Sequence, residues 1–270
     1  MTFLVIKLLV SILVVIAITE ISKRVNPELG GIISGLPLGT GLSVYFISYE
    51  MGTDYILHAI PWGITGLVSS ILFCLAYFMV GRYLVNCKKN IQIIFSSFLS
   101  ILLFIITGYV VQQLDLSLLY SVFVFAIIWV INIKLLRKFP RTSQVPHPGK
   151  TRFYSMLLRA ITVSCIILLI TTIAPFVGNK WSAILSSFPS TLYVVILALH
   201  MEEGHRWVQH VIIGFSYGIS ALMVFYLLCY FLLPLLGLNI GFIIIFLCCI
   251  VYLYLFNKFK KFIMNSTSSS

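Results

Sequence analysis

Acidic residues are almost missing from this chain: seven Asp and Glu stand against eighteen Lys and Arg among 270 residues, and charges of both signs make up only 9%. A soluble domain carries roughly a quarter charged residues, so this scarcity excludes an ordinary soluble fold. Motifs that hold metals or nucleotides are lacking as well. There is no HExxH and no Gly-x4-Gly-Lys-Ser/Thr loop, and the cysteines Cys74, Cys87, Cys165, Cys229, Cys248 and Cys249 show neither ligand spacing nor a disulfide framework. These gaps speak against an enzyme, a bound metal or cofactor, and coupling to ATP or GTP. The cysteines lie mostly in apolar runs and read as core residues. The N-terminus also lacks the basic segment and small-residue cleavage site of a signal peptide, so its apolar run reads as a retained helix.

What is present is hydrophobic: 60% of the residues, with a mean hydropathy of +1.09. Runs of about 20 apolar residues recur, which favours membrane helices over the short alternating strands of a barrel. The pattern predicts an all-α integral membrane protein with nine spans, near 3–19, 31–48, 60–81, 91–111, 117–136, 155–177, 182–201, 208–235 and 239–257. The net charge of +11 belongs with lipid headgroups rather than nucleic acid, because the basic residues flank these spans. Lys23 and Arg24, then Arg82, Lys88 and Lys89, then Arg137 to Arg152, then Arg206, then Lys258 to Lys261 all fall on one side of a nine-span arrangement. Only Lys180, with Asp54 and Asp115, falls on the other. The positive-inside rule therefore predicts a multi-pass protein of the inner (plasma) membrane, its N-terminus outside and its C-terminus cytoplasmic.

The chain repeats itself. GIISGLPLGTGLSVYFISYEMG, from Gly31 to Gly52, returns as AILSSFPSTLYVVILALHMEEG from Ala183 to Gly204. Subtracting 50 from 202 gives an offset of 152, and the same offset aligns Lys7 with Arg159, Ser34 with Ser186, Pro37 with Pro189, His58 with His210 and Gly66 with Gly218. Matching of such sparse residue types points to internal duplication. Residues 1–112 form repeat 1 (spans one to four) and 154–264 form repeat 2 (spans six to nine). Residues 113–153 supply a linker helix and a basic loop, and 265–270 a polar tail. A single intervening helix makes the second copy enter from the opposite side. The expected architecture is thus two inverted-topology four-helix repeats, an arrangement widespread among secondary transporters.

Each unit places a Lys or Arg in its first helix, a Pro-centred second helix ending in Glu and then Gly, and a polar start to its third. In this it resembles the small GlpM-type inner-membrane proteins, two such units being fused through span five. The resemblance implies an inner-membrane location and no particular activity.

Candidate functional residues fall into two groups. Pro37 cannot donate to the carbonyl of Ile33, nor Pro189 to that of Leu185, so each second helix is expected to carry a freed carbonyl in the apolar zone. Ser34, Thr40 and Ser43 in one copy, and Ser186, Ser187, Ser190 and Thr191 in the other, could heal that break or line a site for a small polar solute or cation. Gly31, Gly35 and Gly39, four apart, predict close packing between spans two and seven. Lys7 and Glu50 can meet at one membrane face and Arg159 and Glu202 at the other, as alternating gates or as snorkelling charges. His58 and His210 begin corresponding spans and are candidates for gating or coupling. His200, Glu202, Glu203 and His205 gather at the end of span seven, where a proton relay or a divalent metal is conceivable. Tyr55 and Trp207 read as interfacial anchors. The expected function is a secondary transporter of a small solute, with a coupling ion. The alternatives are a non-transporting scaffold or regulatory subunit and a lipid flippase.

Overall fold

The computed structural model describes residues 5–13, 16, 32–114, 117–139 and 153–267. The expected basic linker after residue 139, together with Lys23, Arg24, Gly31 and Asp115, lies outside the described residues.

In lipid every backbone amide must be satisfied within its own segment, so long apolar runs become helices. The described residues form helices joined by turns, without a strand: α1 (residues 5–13), α2 (Leu38–Met51), α3 (Thr53–Leu57), α4 (Ile60–Tyr83), α5 (Lys89–Gln112), α6 (Leu118–Arg137), α7 (Phe153–Ser186), α8 (Ser190–Glu202), α9 (His205–Gly218), α10 (Ser220–Leu236) and α11 (Leu238–Thr267). Among the described residues seven stretches are long and apolar enough to cross a membrane: Ile32–Met51, Ile60–Tyr83, Lys89–Gln112, Leu118–Leu136, Leu157–Ser186, Trp207–Leu236 and Leu238–Lys258. Phe176, Leu119 and Leu235 are 85%, 83% and 78% exposed, an outward-facing apolarity that suits hydrocarbon and would aggregate in water. By these helices the chain is a multi-pass membrane protein.

The expected spans 155–177 and 182–201 are divided differently from the reading of the sequence. Helix α7 runs on past Pro175, and the chain turns within it at Gly178, whose φ of +81° is open to glycine and strained for other residues. Residues 179–186 then begin a span that breaks at Pro189 and resumes as α8. Residues 32–34 and α2 stand in the same relation about Pro37.

At the centre stands α4, buried along most of its length and packed against α5, α6, α7, α9 and α10. Its small residues let these neighbours close in: Gly63 faces the ring of Tyr226, Gly66 faces Ser187 and the backbone of Ile184, and Gly81 faces His205. Large side chains such as Phe73, Tyr77 and Phe78 fill the remaining core. Cys74, Cys229 and Cys249 are buried as expected, whereas Cys87, Cys165 and Cys248 are exposed. An apolar outer surface has room for a thiol that a soluble core would have enclosed.

Candidate functional site

The two proline breaks have one geometry. Pro37 has φ −74° and ψ 54°, and Pro189 has φ −78° and ψ 59°. Around each, the following amide donates back across the proline, Leu38 N–H to Leu36 O at 2.7 Å and Ser190 N–H to Phe188 O at 2.7 Å, which is an inverse γ-turn. The helix then restarts, with Gly41 N–H to Pro37 O and Tyr193 N–H to Pro189 O, both at 2.8 Å. These turns correct the expectation that the carbonyls of Ile33 and Leu185 are left free. Tight closures satisfy them, from Leu36 N–H at 2.9 Å and Phe188 N–H at 3.0 Å. The backbone heals itself by tightening from i→i+4 to i→i+3 before the proline, and no hydroxyl is consumed in doing so.

The breaks meet. A Cβ on Gly39 would collide with Ser190 Oγ and touch Thr191, so α2 and α8 start side by side. Neither start has a side-chain cap. From this common point they run to opposite ends of the molecule. Beyond α2, the Tyr55 hydroxyl donates to Ala174 O at 2.9 Å, while in the last turn of α8 Glu202 binds Arg159. Residues 159 and 174 lie on one helix, about 22 Å apart at 1.5 Å per residue. Tyr55, expected as an interfacial anchor, is therefore an internal tie, its hydroxyl also 3.3 Å from Ser182 Oγ.

The glycine stripe divides its work. Gly39 faces span seven as expected, but Gly35 lies against the backbone of Gly218 on α9. The reciprocal contact exists as well: Gly66 of α4 lies against Ser187 and Ile184, and Gly218 against Ile32. Shifting both members of one contact by 152 residues produces the other.

Hydroxyls crowd this centre. Ser34, Thr40, Ser43, Ser186, Ser187 and Ser190 are all buried, and Thr191 is half-buried. Ser186 Oγ bonds Ala183 O at 2.8 Å and the Tyr226 hydroxyl at 2.9 Å. The outgoing carbonyls are covered by hydroxyls, Ser187 O by Ser70 at 2.6 Å and Ser34 O by Thr191 at a long 3.5 Å. Among the described residues Ser43 Oγ and Ser69 Oγ are buried with no hydrogen-bond partner. What this place presents is thus hydrogen-bond donors and the positive ends of two helix dipoles, with part of its acceptor capacity already used.

Lys7 Nζ donates to Glu50 Oε2 at 2.7 Å and lies over the Phe46 ring; Arg159 Nη2 reaches both carboxylate oxygens of Glu202 at 3.0 Å. Lys7 is 4% exposed, and its carboxylate partner is about a third open. The expected coupling histidines are more peripheral. His58 is exposed at the end of α3, and His210 is half-buried on α9.

The cluster expected at the end of α8 divides: Glu202 and Glu203 are exposed, while the two histidines turn inward, and no group of three or more His, Cys, Asp or Glu side chains suited to a metal occurs among the described residues. His200 is fully buried. Its Nε2 lies 3.0 Å from Gln92 Oε1 and its Nδ1 3.1 Å from the Tyr77 hydroxyl, while Gln92 Nε2 donates to Gly81 O. His205, across the Gly204 turn, stacks on Phe78 with its ring 5.4 Å from that of His200. Its ring nitrogens are buried without a well-directed hydrogen bond, and the nearby Phe78 carbonyl gives only weak support. Burial first, then the neighbouring His200, lower the His205 pKa to about 4. Beside this end lies an apolar surface groove of about 770 Å³ lined by Met79, Arg82, Phe95 and Phe139, apart from the proline breaks.

Gln92, Tyr77, Ser70 and Tyr226 escaped the reading of the sequence. Gln92 alone carried a signal, an amide placed in an otherwise apolar run. Comparisons with protein-family models, curated proteins and solved structures find no match to this chain.

Proposed function

We propose that this protein is a secondary transporter of a small solute bearing a carboxylate or similar hydrogen-bond-accepting group, bound where α2 and α8 begin. The observation that carries the reading is the meeting of two proline breaks of equal geometry at Gly39, Ser190 and Thr191, both helix starts uncapped. Helix N-termini attract electron-rich groups, and discontinuous helices aimed at a midplane site are a recurrent transporter device. With Ser34 and Ser187 carbonyls already covered by hydroxyls, the balance favours an acceptor ligand over a bare cation. In this reading the two repeats are inverted, and the Lys7–Glu50 and Arg159–Glu202 pairs are the gates that break in turn, in an inner membrane with the N-terminus outside. The GlpM-like character of each unit fits an origin by duplication.

The test is uptake into proteoliposomes from a panel of small mono- and dicarboxylates, with matched amines and neutral analogues beside them. Uptake of a carboxylate, abolished by Gly39→Leu, is the expected result. A panel with no carboxylate taken up, or uptake indifferent to Gly39→Leu in a folded variant, would overturn the reading.

A further inference from the structure

The His200 network occurs in only one half of the molecule. Positions related to His200, His205, Tyr77 and Gln92 by the 152-residue offset hold Ser48, Thr53, Cys229 and Ile244, none of them a base able to take up a proton near neutral pH. Whatever the network does is confined to one end.

Its wiring fixes the tautomer of the neutral ring. Gln92 turns its amide N–H₂ toward the Gly81 carbonyl, so its Oε1 can only accept, and His200 Nε2 must carry the hydrogen. Nδ1 then accepts from the Tyr77 hydroxyl. In the neutral ring every polar atom is thus used.

We propose that His200 is the proton-binding site of this protein, and that taking up a proton releases α8 and α9 from α4 and α5. The proton adds to the Nδ1 lone pair, which ceases to accept, and the Tyr77 hydroxyl must turn its hydrogen away. The new cation is fully buried among positive or neutral groups. Lys89 of α5 and Arg82 of α4 bear on the histidine pair, and His205 of α9 lies beside it. On α8 itself, Glu202 is already held by Arg159 of α7, and Glu203 is exposed. Among the described residues no further carboxylate is placed to neutralise the charge where it forms, so relief comes by opening the contact to water, where an imidazole titrates near 6.5. Gly204, at φ +92°, is the turn about which α8 and α9 can part.

This deepens the transport reading by naming its coupling proton, and its test needs no solute. Failure of one is therefore distinguishable from failure of the other. Spin labels go on the exposed native Cys87, between α4 and α5, and on Glu203→Cys, with Cys165 and Cys248 changed to serine, in nanodiscs. Acidification from about pH 7.5 to about pH 5 is expected to lengthen the inter-label distance by several ångström, with a midpoint on the order of pH 6. His200→Gln should hold the short distance at every pH. His205→Gln, which leaves Gln92 and Tyr77 untouched, should keep the response and move its midpoint to lower pH, because a second group whose charged form favours the open state is removed. A distance indifferent to pH in the parent protein, or a pH response surviving in a folded His200→Gln, would overturn the proposal.

Discussion

Side chains of no size decide the packing here. Gly35 and Gly218 touch backbone to backbone, so a methyl at either position meets atoms that cannot rotate away, whereas one at Gly52 meets nothing within 4 Å and is opposed only by the φ of +89°. Gly35→Ala should cost about 1–3 kcal/mol as overpacking. Gly52→Ala should cost about 1–3 kcal/mol as backbone strain, because φ +89° with ψ +150° is open to little but glycine. Thermal unfolding of the purified variants measures both. The same measurement against pH tests His205: its neutral form is favoured in this arrangement, so the stability it contributes is present above about 6.5 and is lost as pH falls toward about 4. His205→Phe should flatten that fall. At this scale the sequence was partly legible. Gly35 and Gly39 announced close approach, but a stripe of small residues does not say which neighbour each will face. Gly39 took span seven and Gly35 took span eight.

A helix interrupted by proline was readable at Pro37 and Pro189, because the missing N–H and the clash at the preceding turn follow from the ring itself. How the break is repaired was not. Sequence logic assigned the repair to serine and threonine hydroxyls, yet an inverse γ-turn and two tightened closures do it with backbone alone, leaving the hydroxyls for other partners. Pro189→Ala should therefore restore a continuous helix and raise thermal stability, by up to about 3 kcal/mol if the new bond forms cleanly. It should also remove the helix start at Ser190 and with it the proposed uptake. Stability and transport moving in opposite directions is the expected pattern, read by melting and by proteoliposome flux of the same preparations.

Over the whole molecule, the ion pairs are alike in spacing, 43 residues in each, and unlike in surroundings. The Lys7 side chain is 5% exposed and Glu50 34%, against 11% and 42% for Arg159 and Glu202. Removing Glu50 takes the carboxylate from a more deeply buried cation, so Glu50→Gln should destabilise by about 1–3 kcal/mol, discounted for the open carboxylate, and Glu202→Gln by less. Denaturation in high salt, which screens the more exposed pair first, checks the ordering. Cysteines placed at Asp54 and Glu203 should react with an impermeant reagent from opposite sides of the membrane. Reaction of both from one side would remove the inverted arrangement. The sequence disclosed both pairs because rare charges stand out in apolar runs. It hid the Gln92 and Tyr77 contacts, which join residues more than a hundred positions apart and leave no local period.

The reciprocal contacts, Gly35 on Gly218 and Gly66 on Ser187, mean that each half lends its third span to bury the broken span of the other. During synthesis the first half enters the membrane with the face around Gly35 uncovered, and that face stays open until residues 205–218 arrive. The first half is thus an incomplete fold waiting for its second. Residues 1–139 expressed alone should be cleared by membrane proteases, and co-expression with 153–270 as a separate chain should rescue them.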